Sequence, residues 1–195
     1  MKVETNRKYM ESLKSFPFAN ALFTKTRWAW IWLIARLYLG FEWLMEGLEK
    51  LGNPDWTGSN SGAEIVEFVT HAIKKTTGEH PDVLGWYASF LEGVVLPNAK
   101  TWSYLVTFGE IFVGIAFILG LFTWVAAFFG SFMNMNYLLS ASVAQNPVLL
   151  LLGLLLLLAW RTAGWWGIDR WALLTIGTPW QPGRIFRNNS ETLPS

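Results

Sequence analysis

The sequence predicts an all-α fold: an integral membrane four-helix bundle with short amphipathic helices in its outer loop and an interfacial C-terminal helix. Three observations lead there. Of the 195 residues 52% are hydrophobic and the mean hydropathy is +0.30, high for a water-soluble domain. Four stretches, residues 28–48, 102–122, 123–143 and 147–167, approach the roughly 20 apolar residues a helix needs to cross a hydrocarbon core about 30 Å thick. Tryptophans gather at their ends, with Trp28, Trp30 and Trp32 opening the first, Trp102 opening the second, and Trp160, Trp165 and Trp166 closing the fourth, where headgroup-level aromatics belong.

Taken in order, residues 1–27 form a polar lead-in carrying Lys2, Arg7, Lys8, Lys14, Lys25 and Arg27. It is too long for the n-region of a cleavable signal peptide and no small-residue cleavage site follows the first span, so that span is expected to stay as an anchor. Arg161 stands near the end of the fourth span, and Arg170, Arg184 and Arg187 lie in a tail over residues 168–195. The basic bias at both ends predicts a multi-pass cell-membrane protein with both termini cytoplasmic. Residues 52–101 then form an outer loop in which carboxylates outnumber lysines. Within it Ser61, Gly62, Ala63 and Glu64 match a capping box, ahead of Ile65, Phe68, Val69, Ala72 and Ile73 on one helical face. A second short helix is expected from near Pro81 to Pro97. The pair reads as a packing element at the membrane surface or as a lid over a ligand site.

The second and third spans are nearly continuous, and a single helix of about 40 residues would overshoot any bilayer, so the chain is expected to reverse at Gly120, Leu121, Phe122 and Thr123. The fourth span, from Pro147 to Trp160, is almost all leucine and has little with which to do chemistry. Beyond it Trp165, Trp166, Trp171, Leu173, Leu174 and Ile176, mixed with Asp169 and Arg170, predict a helix lying in the inner interface and ended by Gly177 and Pro179. The whole chain is one membrane domain.

Composition removes several classes of function. A net charge of +1 and the absence of a basic stripe argue against nucleic acid. The chain has no cysteine, which removes disulfides, thiolate ligands, iron–sulfur clusters and an internal dithiol relay. Its two histidines, His71 and His80, both fall in the outer loop, so bis-histidine haem within the membrane is excluded and no metal site is expected. Glu42 and Glu46 have the spacing of a carboxylate ligand pair, but no span supplies the Glu-x-x-His motifs of a diiron bundle.

What remains is the charge inside the spans. On a helical wheel of about 100° per residue, Arg36, Glu42, Glu46 and Lys50 share an arc of about 160° with Gly40, Trp43 and Gly47. Such a face must turn inward, because a charge at the bilayer centre costs about 2.5–3.5 kcal/mol on the insertion scale. Glu46 and Lys50, four apart, can pair with each other. At about 1.5 Å per residue, and with the spans centred at one level, Glu110 falls between Arg36 and Glu42, close to Asn134, Asn136 and Tyr137 of the third span. The expectation is a buried network in which Arg36 bridges Glu110 and Glu42, completed by the asparagines and Tyr137. It reads either as the glue of a helix bundle or as a functional site.

Three short motifs carry a family resemblance. Arg36, Leu37, Leu39, Gly40, Leu44, Gly47, Lys50 and Leu51 form R-L-x-L-G-x-x-x-L-x-x-G-x-x-K-L; Gly109 to Thr123 reads G-E-I-x-V-G-I-x-x-I-L-G-L-F-T, followed by Met133, Asn134 and Met135; Gly164 to Trp171 reads GWWGIDRW. Together they resemble the DoxX/DoxD family over roughly residues 36–175. The resemblance implies a small four-helix membrane protein; DoxD-like members are the membrane subunit of a thiosulfate:quinone oxidoreductase, and DoxX-like members are linked to redox defence.

Two functional readings follow. In the first the chain is a membrane subunit of a quinone-linked oxidoreductase, with Arg36, Glu42 and Glu110 as catalytic candidates and Asn134, Asn136 and Tyr137 as cofactor-binding candidates around a quinone. Thiosulfate would approach from outside, where Lys50 and Lys100 are the candidate attractants. In the second it is a non-catalytic scaffold or small-solute carrier. The expected partners are membrane lipid and a second redox subunit, and the sequence allows a homo-oligomer.

Overall fold

The computed structural model describes residues 17–178 and 181–185. The basic residues Lys2, Arg7, Lys8, Lys14 and Arg187, and Pro179 as a helix stop, lie outside them. The architecture is all-α: α1 (Pro17–Thr24), α2 (Ala29–Gly52), α3 (Pro54–Thr57), α4 (Ala63–Lys74), α5 (Gly85–Phe90), α6 (Ala99–Leu119), α7 (Thr123–Leu139), α8 (Asn146–Leu158), α9 (Trp160–Ala163) and α10 (Asp169–Ile176). The sole β pairing among the described residues is the two-residue antiparallel contact of Gly177–Thr178 with Gln181–Pro182.

Four long helices form the body. α2 lies along α6, α6 and α7 form a hairpin, α7 packs on α8, and α8 returns to α2. Trp43, Val113, Phe117, Ala127, Leu149 and Leu156 belong to the core between them. The α2–α6 contact is the closest, because small residues line it. Gly40 lies against Ile118, Gly47 against Ile111 and Gly114 against the backbone of Leu44, so the two helices run antiparallel in that register. A Cβ on Gly114 would stand 2.6 Å from the Leu44 nitrogen, a collision with backbone that no rotamer relieves. Gly114→Val is expected to force the helices apart and lower stability by roughly 1–3 kcal/mol, read as a drop in the thermal unfolding midpoint in detergent. Gly52→Ala, where nothing lies within 4 Å, should show no such drop.

The hairpin reverses where expected. Gly120 ends α6 in the left-handed region (φ 61) and the Leu121 N–H reaches back to the Ala116 carbonyl at 3.0 Å, a tight helix stop followed by Phe122, also left-handed (φ 48). α7 and α8 are shorter than the spans drawn from hydropathy. α7 turns at Ser140, and α8 stops at Leu158, before the short helix α9. By length and hydropathy one continuous helical stretch among the described residues qualifies for crossing a membrane, Gly85–Leu119, while Asn146–Leu158 is apolar but shorter. α2 is long enough, yet its charged face lowers its hydropathy.

The outer loop departs from expectation in two ways. Its second helix is not a separate piece: α5 runs through a widened turn (Leu91–Val95) and a tightened one (Leu96–Asn98) straight into α6. Pro97 is tolerated there because these irregular turns already break the regular hydrogen-bond ladder. Nor does a capping box open α4. The residue before Ala63 is Gly62 at φ 102, with no side-chain cap, pressed against the backbone of Lys100, so a close approach to α6 sets that start. α4 and α5 share a small apolar core of their own, which includes Ile65, Val69, Val83, Tyr87, Leu91 and Val95. It roofs the end of the bundle opposite α9 and α10.

The tryptophans divide. Trp30, Trp165, Trp166 and Trp171 are exposed, as interfacial anchors would be. Trp32 is instead buried; its indole N–H donates to the Leu22 carbonyl (2.9 Å) and clamps α1 onto α2.

Candidate functional site

The single charged network expected from the sequence is two. The glycine contacts stagger α2 against α6, so that Glu110 is level with Lys50, while Arg36 lies roughly 20 Å further along α2. Arg36 therefore bridges neither Glu110 nor Glu42. Centring both spans at one depth caused the error, because hydropathy gives a span's middle only loosely and side-chain packing sets its stagger.

The first cluster sits under the roof. The Tyr137 hydroxyl on α7 donates to Glu110 Oε1 on α6 at 2.6 Å. Lys50 Nζ on α2 stands 3.0 Å from Glu110 Oε2 and 3.0 Å from Glu46 Oε2. The ammonium donates to Glu46 and, at the same distance, forms an ion pair with Glu110, so it bridges the two carboxylates. The lysine also lies 5.3 Å from the Trp56 ring centroid, a cation–π distance. Trp56 is brought there by α3, which the Asn53 side chain opens by accepting from the Asp55 N–H (2.9 Å), and which Tyr104 pins to α6 through the Thr57 carbonyl (2.8 Å). Phe68 from α4 meets the Tyr137 ring edge-on at 6.1 Å.

This cluster lies on the wall of a cavity of about 1000 Å³. One end of the cavity lies beneath α4 and α5, against Trp56, Phe68, Tyr87 and Phe90. From there it follows the cleft between α6 and α7, past Val113, Ala116 and Val125 to Phe122. Phe112, Phe129 and Phe132 line it while being more than half exposed, so the cleft opens sideways onto the apolar exterior.

The other sequence candidates are scattered around this geometry. Asn136 is on the cavity wall and ties the roof down, accepting at both its carbonyl and its Oδ1 from the Tyr87 hydroxyl (3.1 Å each). Glu42 is also on the wall, with Oε2 accepting from Gln145 Nε2 at 3.0 Å. Asn134 is buried in α7 with both amide atoms unpaired and is not among the lining residues. The sequence does not reveal Lys50 as the partner of Glu110 or Trp56 as the ring beside that lysine. The heptad-like return of Gly40 and Gly47 on α2 could have given the stagger that pairs them.

The second cluster is at the opposite end. The guanidinium of Arg36, fully buried, donates to the Trp166 carbonyl (3.1 Å) and the Ala163 carbonyl (3.4 Å). Beside it Asp169 accepts from the Phe122 N–H (2.6 Å) and the Thr123 N–H (2.8 Å), and its own N–H donates to the Gly120 carbonyl (2.8 Å). Asp169 thus caps α7 and holds the hairpin tip against α10. The sequence reading had placed it at the interface, whereas it is buried.

A helical fold that buries Arg36, Glu110 and Asp169 and leaves large side chains such as Phe41, Met45, Phe112, Phe132, Leu151 and Leu158 bare on the outside has the character of a membrane protein. The DoxX family model matches residues 31–143, and the chain belongs to the DoxX family, whose members are membrane-associated. No curated protein and no solved structure matches the chain. Among the described residues no group of three or more metal-ligating side chains is found.

Proposed function

We propose that this protein is a membrane subunit of a quinone-linked oxidoreductase that binds a lipid-soluble quinone in the cavity. In this reading α2, α6, α7 and α8 with α9 cross the bilayer as a four-helix bundle, both termini are cytoplasmic, and the roof of α3–α5 faces outside. The observation that carries it is the cavity itself, polar at one buried end and apolar along a cleft that opens sideways. A quinone has the matching form, a ring with two carbonyl oxygens and a long hydrocarbon tail. Lys50 and Tyr137 are donors within reach of such a ring, Trp56 and Phe68 offer faces to pack it, and the α6–α7 cleft fits the tail. The bound quinone would supply the electron-accepting chemistry; the chain's residues bind it, orient it, and hold protons at Glu110. With no cysteine in the sequence, electrons would come from a second subunit or directly from a small donor. Thiosulfate is the donor that the resemblance to DoxD-like proteins favours, with exposed Lys100 beside the roof as its attractant.

The scaffold reading has one observation in its favour: Glu110, Lys50, Glu46 and Tyr137 answer one another without a ligand. The two separate on Gly109, which lines the cavity and whose nearest neighbour is the flexible Met133 side chain. Gly109→Leu should obstruct the cavity beside Glu110 without disturbing the helices. Lipid extracts of the gently purified wild type are expected to contain quinone, and a short-chain quinone should quench its tryptophan fluorescence. The leucine variant should lose the quinone and weaken quenching about tenfold or more. Equal quenching in both, or a wild type that never carries or binds quinone, leaves the scaffold.

A further inference from the structure

We propose that Glu46, Lys50 and Glu110 form a proton path from the half-exposed carboxylate of Glu46, near the roofed end of the molecule, to the buried carboxylate of Glu110 on the cavity wall. The three groups are consecutive, 3.0 Å from carboxylate to ammonium and 3.0 Å from ammonium to carboxylate. Their exposure falls in the same order: the side chain of Glu46 is 47% exposed, Lys50 13%, Glu110 1%. The path therefore starts at a half-exposed carboxylate and ends at a buried one, whose Oε2 stands 3.0 Å from the lysine nitrogen.

The transfer balances within the chain. A small swing of the lysine lets Nζ pass a proton to Glu110 Oε2, leaving a neutral amine and a carboxylic acid. Glu46, having taken a proton from water, returns one to Nζ. The net result is one proton moved from water to Glu110, with Glu46 and Lys50 restored. The groups facing Lys50 are Glu46 from its own helix, Glu110 from α6 with Tyr137 of α7 behind it, and the uncharged Trp56 ring from α3.

Other routes to Glu110 are poorer. Of the remaining ionisable side chains on the cavity wall, Glu42 is held by an amide, which donates a hydrogen bond but does not pass a proton on, Tyr87 is committed to Asn136, and Tyr137 already donates to Glu110 Oε1 from inside the bundle. At the far end Arg36 lies off the cavity wall, fixed on two carbonyls. The path makes the roofed end the side from which protons reach the site. It depends on the quinone reading only for what takes the proton next.

The test needs no quinone, so its failure is distinct from failure of that reading. Protein in lipid nanodiscs is followed by time-resolved infrared difference spectroscopy after a downward pH step, with the protonated-carboxyl band as the signal. The wild type should develop a band that Glu110→Gln abolishes and that Tyr137→Phe shifts in frequency, because the phenol donates to Oε1 of the same carboxyl. Glu46→Gln, at a half-exposed position where the amide oxygen can still accept from Lys50, should keep the final amplitude but slow its appearance about tenfold or more. An unchanged rate in Glu46→Gln, or no band assignable to Glu110 at any pH at which the protein stays folded, overturns the proposal.

Discussion

Asp169→Ala is expected to cost about 2–3 kcal/mol, through the loss of a helix cap and of the carboxylate charge near a buried guanidinium. The carboxylate takes two backbone N–H groups at the start of α7, and losing a helix cap alone costs about 0.5–2 kcal/mol. The rest comes from Arg36, which would keep two carbonyl partners but no nearby counter-charge in a place that water does not reach. Asp169→Asn separates the two contributions, since an amide oxygen can still cap while the charge is gone. It should fall between wild type and alanine. Unfolding midpoints in detergent provide the measurement, and a neutral Asp169→Ala would mean that Arg36 finds another partner.

The second large effect is expected at Glu110. Glu110→Leu leaves the Lys50 ammonium with Glu46 alone and the Tyr137 hydroxyl with no acceptor, so a loss of about 3 kcal/mol is expected, the low end of the range for stranding one partner of a buried charge pair because Glu46 remains. The double variant Lys50→Leu with Glu110→Leu should recover most of that loss, because a buried ion pair is often replaceable by hydrocarbon once neither charge is stranded. Recovery of stability without recovery of quinone binding would assign the pair to function. Glu92→Gln, on the exposed side of the roof, should lie within about 0.5 kcal/mol of wild type.

The difference between the two clusters shows what the sequence could reveal. Local features were readable: the helical character of the spans, the reversal at Gly120, and the Glu46–Lys50 pair, which depends on spacing along one helix. The inward turn of Arg36 and Glu110 was readable too, since a charge on an apolar helix has nowhere else to go. Which charge meets which was not. That depends on the stagger between α2 and α6, set by a few glycine contacts; Arg36 and Lys50 are about four turns apart on α2, and the stagger decides which of them lies near Glu110. Asp169 was hidden for a related reason. Its surroundings, Trp165, Trp166 and Trp171, give a composition suited to an interface, whereas its role depends on the hairpin tip, distant in sequence.

The uninterrupted run of helix from Gly85 to Leu119 has a mechanical consequence. The roof and the rod that holds Glu110 are one piece of chain, loosened only between Leu91 and Asn98. Tyr87, which is tied to Asn136, and Glu110, which faces the lysine, therefore sit on one stretch of chain, on either side of the irregular turns that would take up any bending between them.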